Sequence, residues 1–170
     1  MTMIDWLARR RVALGFVCGI AAIVLARPSR ASLLAGGLVA AAGEAVRIWA
    51  AGHLEKSREV TTSGPYRFTR HPLYVGSAII TLGFVVASRS AGVAVMAAVY
   101  LGLTYTAAIR REEAFLTERF GAAYPDYKAG RLGGVARTFS VERAMRNREY
   151  RAVAGILAAM AMLAMRAVWP

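Results

Sequence analysis

SAGVAVMAAVYLGLTYTAAI, Ser90 to Ile109, is twenty residues without a charge. A helix needs about 20 mostly apolar residues to cross the hydrocarbon core of a bilayer, with ~17 as the lower end. This run meets that length unaided and predicts a transmembrane helix. Outward from it the pattern repeats. Pro72–Ser88 is uncharged over 17 residues and is separated from the first run only by Arg89. Val12–Ala26 is shorter, but the arginines at its ends can snorkel. Ala31–Ala51 reaches full length only with Glu44 and Arg47 inside it, and Ala152–Trp169 only with Arg166 near an interface. The reading is an all-α, polytopic integral-membrane helical bundle. It has about five spans, 12–26, 31–51, 72–88, 90–109 and 152–169, within a single domain covering 1–170.

Composition agrees. Of 170 residues, 57% are apolar and 19% charged, and mean hydropathy is +0.43. Soluble domains run nearer 45–50% apolar. A disordered chain is excluded by this hydrophobicity. A disulfide scaffold is excluded because Cys18 is the only cysteine. Net charge is +12, which alone fits either a nucleic-acid binder or a membrane protein with basic loops. The distribution decides. The segments 1–11, 52–71 and 110–151 fall on one side of the span map and hold seventeen of the 22 Lys and Arg. The other side holds Arg27, Arg30, Arg89 and Arg166. By the positive-inside rule the N-terminus, 52–71 and 110–151 are expected in the cytoplasm and the C-terminus outside, in a bacterial-type inner membrane. The lipid bilayer is the expected partner and nucleic acid is not. Trp6 and Trp169 sit where interfacial anchors would. Arg9–Arg11 ahead of Val12–Ala26 also looks like a signal peptide. No A-x-A-like site leads into a soluble domain, so a retained first helix is expected.

Ser88-Arg89-Ser90 joins two spans with almost no loop. Small residues on one arm (Gly76, Ser77, Ala78, Gly83) and on the other (Gly92, Ala97, Ala98, Gly102) predict a tight helical hairpin with close backbone approach. Arg110–Phe120 is expected to prolong the last arm. Gly121 should stop it, and Tyr124-Pro125 cannot continue it. Val141–Tyr150 reads as a basic amphipathic helix on anionic lipid.

The polar inventory excludes much chemistry. The two histidines, His53 and His71, belong to no His-x-x-x-His pair and no Cys-x-x-Cys exists, so no metal site is expected. There is no phosphate-binding G-x-x-x-x-G-K-[ST]. Asp5 and Asp126 are the only aspartates, and no G-x-S-x-G is present. What remains is dense: Gly64-Pro65-Tyr66-Arg67-Phe68-Thr69-Arg70-His71-Pro72-Leu73-Tyr74-Val75-Gly76. Pro72 suits the first turn of a helix. Arg70 and His71 then precede a helix N-terminus, where an anionic group is favoured. Gly76 allows a ligand or a helix to approach the backbone. A basic interfacial loop with a helix-starting proline is the plainer alternative. A second cluster holds Glu112, Glu113, Phe120, Gly121, Tyr124 and Tyr127. Its carboxylates could hold a ribose diol or an amino group, or simply pair with Arg110 and Arg111. Glu44 and Arg47 lie on one helix face inside a span, where ionisable residues are functional candidates, or else satisfy each other near the interface. His53 reads as structural.

In order and spacing, these clusters resemble the integral-membrane methyltransferases of the isoprenylcysteine carboxyl methyltransferase and phospholipid N-methyltransferase superfamily. The pattern G-P-Y-R-x-x-R-H-P-x-Y-x-G, a helical hairpin, E-E-x-x-L and F-G-x-x-Y-x-x-Y covers roughly Ala40–Thr138. The resemblance implies S-adenosylmethionine bound at a cytoplasmic pocket at the hairpin mouth. It places His71, Tyr74, Gly76, Glu112, Glu113, Tyr124 and Tyr127 on that cofactor. Arg70, Glu113 and Glu44 become candidate catalytic residues, and Arg47 and Arg67 candidates for substrate. The family often closes the pocket with a basic-proline segment; here Gly133–Phe139 has no proline. The implied reaction is in-line methyl transfer to a lipophilic acceptor: an isoprenylcysteine-like carboxylate, a phospholipid amine or another hydrophobic molecule. An amine must lose a proton, which Glu44 or the glutamate pair could receive. The competing expectation is a non-catalytic small membrane protein: an assembly subunit, a carrier or a lipid-binding scaffold.

Overall fold

In the computed structural model, residues 3–132 and 137–168 are described. Trp169 and Gly133–Ala136 of the closing segment lie outside them, as do the side chains of Trp6, Arg9 and Arg11. Every regular element among the described residues is helical: α1 (Met3–Leu25), α2 (Arg30–Ala51), a 3-10 turn (Gly64–Arg67), α3 (Pro72–Ser88), α4 (Ala91–Phe120), α5 (Ala123–Lys128), α6 (Val141–Arg146) and α7 (Tyr150–Val168). This is an all-helical membrane bundle. By length and composition α2, α4 and α7 are able to cross a membrane; α3 and the apolar part of α1, Val12–Leu25, are shorter.

Local chemistry sets the ends. Ser29 starts α2 with a reciprocal cap: Ser32 N–H donates to the Ser29 hydroxyl oxygen at 3.2 Å, and Ser29 N–H to that of Ser32 at 2.9 Å. Pro72 opens α3, and Arg89 ends it in the left-handed conformation at φ 50°. The Ser90 hydroxyl caps α4 by accepting from Val93 N–H. As expected, α4 runs on past Ile109 to Phe120 and stops at Gly121, whose φ is +54°. Pro125 does not end helical structure altogether, because it sits within the short separate helix α5.

The side-chain distribution fits a lipid surround. Large apolar residues face outward, among them Phe16 (71% exposed), Leu38 (74%) and Leu157 (65%), while the buried set is dominated by alanines such as Ala40, Ala50, Ala51 and Ala87. Helices without a hydrophobic drive between them associate through small residues. That rule holds, but on a different pair than expected. The glycines of α3 face α2, not α4. A Cβ on Gly76 would lie 2.7 Å from the Gly43 carbonyl oxygen, and one on Gly83 2.6 Å from that of Gly36. Gly102 on α4 has nothing within 4 Å. The loop between α3 and α4 is as short as predicted, yet the two helices diverge from it. The sequence pattern showed two glycine-bearing arms but not which neighbour each one met.

A second correction concerns Val141–Tyr150. The helix is shorter than expected, Val141–Arg146, and it is docked onto the end of α2. Ser140 N–H donates to the Gly52 carbonyl at 3.1 Å. Arg143 donates to Glu55 Oε1 at 2.8 Å and also to the Gly52 carbonyl. Asn147 Nδ2 donates to the carbonyls of Ala51 and Leu54, both at 2.9 Å. These bonds satisfy carbonyls that the end of α2 leaves open. Residues 137–149 thus form a strap across that end.

Candidate active site

Where α3 and α4 diverge, a cavity of about 700 Å³ opens between them. That volume lies within the ~300–1,000 Å³ usual for small-molecule sites. Its mouth is charged, with Glu55, Lys56, Arg70, His71, Arg111 and Glu112 on the wall. Further in, the lining is aromatic and hydroxylic, with Tyr66, Tyr74, Tyr100, Thr104, Tyr105 and Ser77.

His71 precedes α3 and Glu113 lies on the extension of α4, so the divergence brings the two sequence clusters face to face. His71 Nε2 is 3.2 Å from Glu113 Oε1. Lys128 Nζ donates to Glu113 Oε2 at 2.8 Å, and Arg70 Nη1 lies 3.7 Å from Oε1. Partial burial works against the Glu113 charge. The hydrogen bonds from Lys128 and His71 and the charges of Lys128 and Arg70 together outweigh it, holding the carboxyl at about 2. The two adjacent glutamates therefore differ in position. Glu112 lines the cavity, whereas Glu113 stands behind the wall and holds His71.

Around this pair the tyrosines make a scaffold. The Tyr74 ring is edge-on to His71 (5.9 Å between centroids) and to Tyr105 (5.1 Å). Tyr127 donates to the Tyr66 carbonyl at 2.6 Å, fastening α5 to the 3-10 turn. Tyr124 is buried at 3% exposure and lines the cavity, with its hydroxyl close to the Glu113 carboxylate. Burial, and then the Glu113 carboxylate, push that hydroxyl well above the ordinary tyrosine range.

At the inner end, Arg47 lines the cavity from α2. Its Nη2 meets Glu149 Oε1 at 2.6 Å, its Nη1 donates to Ser77 Oγ at 2.5 Å, and its Nε lies 3.6 Å from Glu44 Oε2.

The structure thus brings together Arg70, His71, Tyr74, Glu112, Glu113, Tyr124, Tyr127 and Arg47. Three other residues fall elsewhere. Gly76 packs against α2 and does not line the cavity. Arg67 is exposed beyond the wall. Glu44 is buried behind Arg47, off the wall. Sequence reasoning missed Lys128 and, more consequentially, Glu149. A carboxylate in a segment rich in arginine reads as surface pairing; only the fold of the strap carries it inward. His53 is structural, as expected: its Nδ1 is 3.0 Å from the Trp49 carbonyl and its ring lies against Phe139.

A family model for phospholipid methyltransferases matches residues 45–123. That stretch of the chain is similar to the phospholipid methyltransferase family. It holds both facing clusters, from Arg47 through Arg70 and His71 to Glu113, and stops short of Tyr124, Lys128 and Glu149. Two curated relatives overlap the matched stretch. A cobalt-zinc-cadmium resistance protein of Cupriavidus metallidurans is 38% identical over 76 residues, 44% of this chain and 35% of the relative. A nickel-cobalt-cadmium resistance protein of Alcaligenes xylosoxydans xylosoxydans is 36% identical over 83 residues, 48% of this chain and 38% of the relative. The match therefore spans little more than a third of those relatives' own length. No solved structure matches.

Proposed function

We propose that this chain transfers a methyl group from S-adenosylmethionine to a lipophilic acceptor at the membrane interface. The observation that carries the reading is the cavity itself: the two motif clusters of the matched stretch meet at its mouth. Its volume and lining suit the cofactor. Tyrosine faces attract a cation. Among the described residues no three His, Cys, Asp or Glu side chains gather as metal ligands would. The relatives' names concern metal resistance; the lining of the cavity, rather than those names, supports the methyl-transfer reading.

S-adenosylmethionine, when bound, would supply a methyl group on a sulfonium sulfur. The chain's part is to bind, orient and exclude water. Arg70 and His71, at the start of α3, would hold the amino-acid carboxylate. Glu112 would take the ribose hydroxyls or the amino group. Glu113 and Lys128 would fix the position of His71. The aromatic inner wall would keep water away from a reaction in which positive charge at sulfur disappears. Holding the acceptor in line would supply much of the rate. We place the mouth in the cytoplasm, with the N-terminus on the same side, in a bacterial-type inner membrane. The basic segments 52–71 and 110–151 flank that mouth.

Calorimetric titration of S-adenosylmethionine into the purified full chain tests this, with His71→Ala and Glu113→Ala beside it. Saturable binding that weakens at least tenfold in both variants is the expected result. No binding at millimolar cofactor in folded protein overturns the proposal.

A further inference from the structure

Glu149 is, among the described lining residues, the only charged one from outside the matched stretch 45–123. Its position is built. The strap is bonded to the end of α2 through Arg143 and Asn147. Arg148 then turns the chain with a left-handed φ of 60°, and α7 begins at Tyr150. Glu149 is left 6% exposed on the inner wall beside Arg47.

The charge balance there is uneven. Two buried carboxylates, Glu44 and Glu149, face one guanidinium. Arg47 is also engaged with Ser77 Oγ and the Leu73 carbonyl. Its Nε makes no hydrogen bond but faces the Glu44 carboxylate at 3.6 Å, so each of its three nitrogens is directed at an acceptor of the protein. The other cationic side chains on the wall, Lys56, Arg70 and Arg111, are exposed ones at the mouth. The inner wall therefore presents oxygen acceptors and tyrosine faces in a poorly hydrated place. An anionic head group would meet like charge at low dielectric, while a donor would meet a partner.

We propose that Glu149, oriented by Arg47, is the residue that selects the acceptor, favouring a head group that donates hydrogen bonds, an amine foremost, over a carboxylate. The inference rests on the methyl-transfer reading of the same cavity. It gives the strap a role: 137–149 brings a selecting side chain into a core that lacks one there.

Hexylamine and hexanoate serve as probes, since both are short enough to be titrated calorimetrically into the full chain in nanodiscs. The titrations are run with S-adenosylhomocysteine present and absent. Hexylamine should bind at least tenfold more tightly than hexanoate. Glu149→Gln should abolish that preference while leaving S-adenosylmethionine affinity within twofold, and Glu149→Asp should restore part of it. A merely structural Glu149 would lower cofactor affinity and both probe affinities alike. Equal or tighter binding of hexanoate, no binding of either probe, or an unchanged preference in Glu149→Gln overturns the proposal. If Glu149→Gln does not fold, the parent's preference and Glu149→Asp decide. Loss of cofactor binding in the parent with the hexylamine preference intact would overturn the methyl-transfer reading alone.

Discussion

Helix α3 has two unlike sides. Toward α2 it is closed: Gly76 and Gly83 lie against the Gly43 and Gly36 backbone, with no room for a side chain. Toward α4 it is open, and the gap is the cavity with His71, Tyr74 and Ser77 on its wall. The contrast teaches how a small membrane bundle makes room for a ligand. Four of its glycines, Gly36, Gly43, Gly76 and Gly83, meet in one seam, which serves as a rigid support. The opposite seam, given bulky tyrosines, stays apart.

The largest effect should come from breaking the closed side. Gly83→Leu places a branched side chain where a Cβ already meets backbone at 2.6 Å. A loss of about 3 kcal/mol or more is expected, read as a fall in thermal midpoint or as failure to purify. Gly102→Leu on the unpacked face of α4 should shift stability by about 0.5 kcal/mol or less. Equal effects of the two substitutions would mean that α3 is not seated on α2 as described.

Next in size is the link that spans the open side. Glu113→Gln removes the charge that joins His71, Arg70 and Lys128. The folded carboxyl sits at about 2 against an ordinary 4.5. Because the folded value is lowered, its stabilisation is full above about 4.5 and is lost as pH falls from there toward 2. The difference in thermal midpoint between parent and variant should be widest near pH 6–7. It should correspond to about 1–3 kcal/mol and narrow progressively as pH falls from about 4.5 toward 2. A gap that is constant with pH would sink the assignment of that charge.

A smaller effect is expected at the strap. Asn147→Ala leaves the Ala51 and Leu54 carbonyls without their side-chain donor. The cost should be about 1–2 kcal/mol, with faster proteolysis within 137–149. Ser90→Ala, which removes the cap at the hinge of the two arms, should cost about 1 kcal/mol. If Asn147→Ala leaves proteolysis unchanged, the strap is not held by these bonds.

Much of this architecture was legible in the chain. The run Pro72–Ser88 is the helix observed, and Gly121 ends α4 where its position suggested; Arg70, His71 and Glu113 come together, though Glu113 stands behind the cavity wall. Each of these depends on information local to a few residues: a proline at a helix start, a glycine at positive φ, or a charge at the end of an apolar run. Which face of α3 closes is a different kind of fact. Gly76 and Gly83 allow close approach, but α2 and α4 both carry small residues, and periodicity does not name the partner. The same holds for the strap. Glu149 sits among arginines in the sequence, and only the bonds of Arg143 and Asn147 to the end of α2 turn it inward to Arg47. The sequence by itself determined the membrane habit, the helix ends and the composition of the two clusters, because length, hydropathy and backbone preference act locally. Tertiary structure alone decided the open seam and the carboxylate within it, because those depend on which distant surfaces fit without a clash.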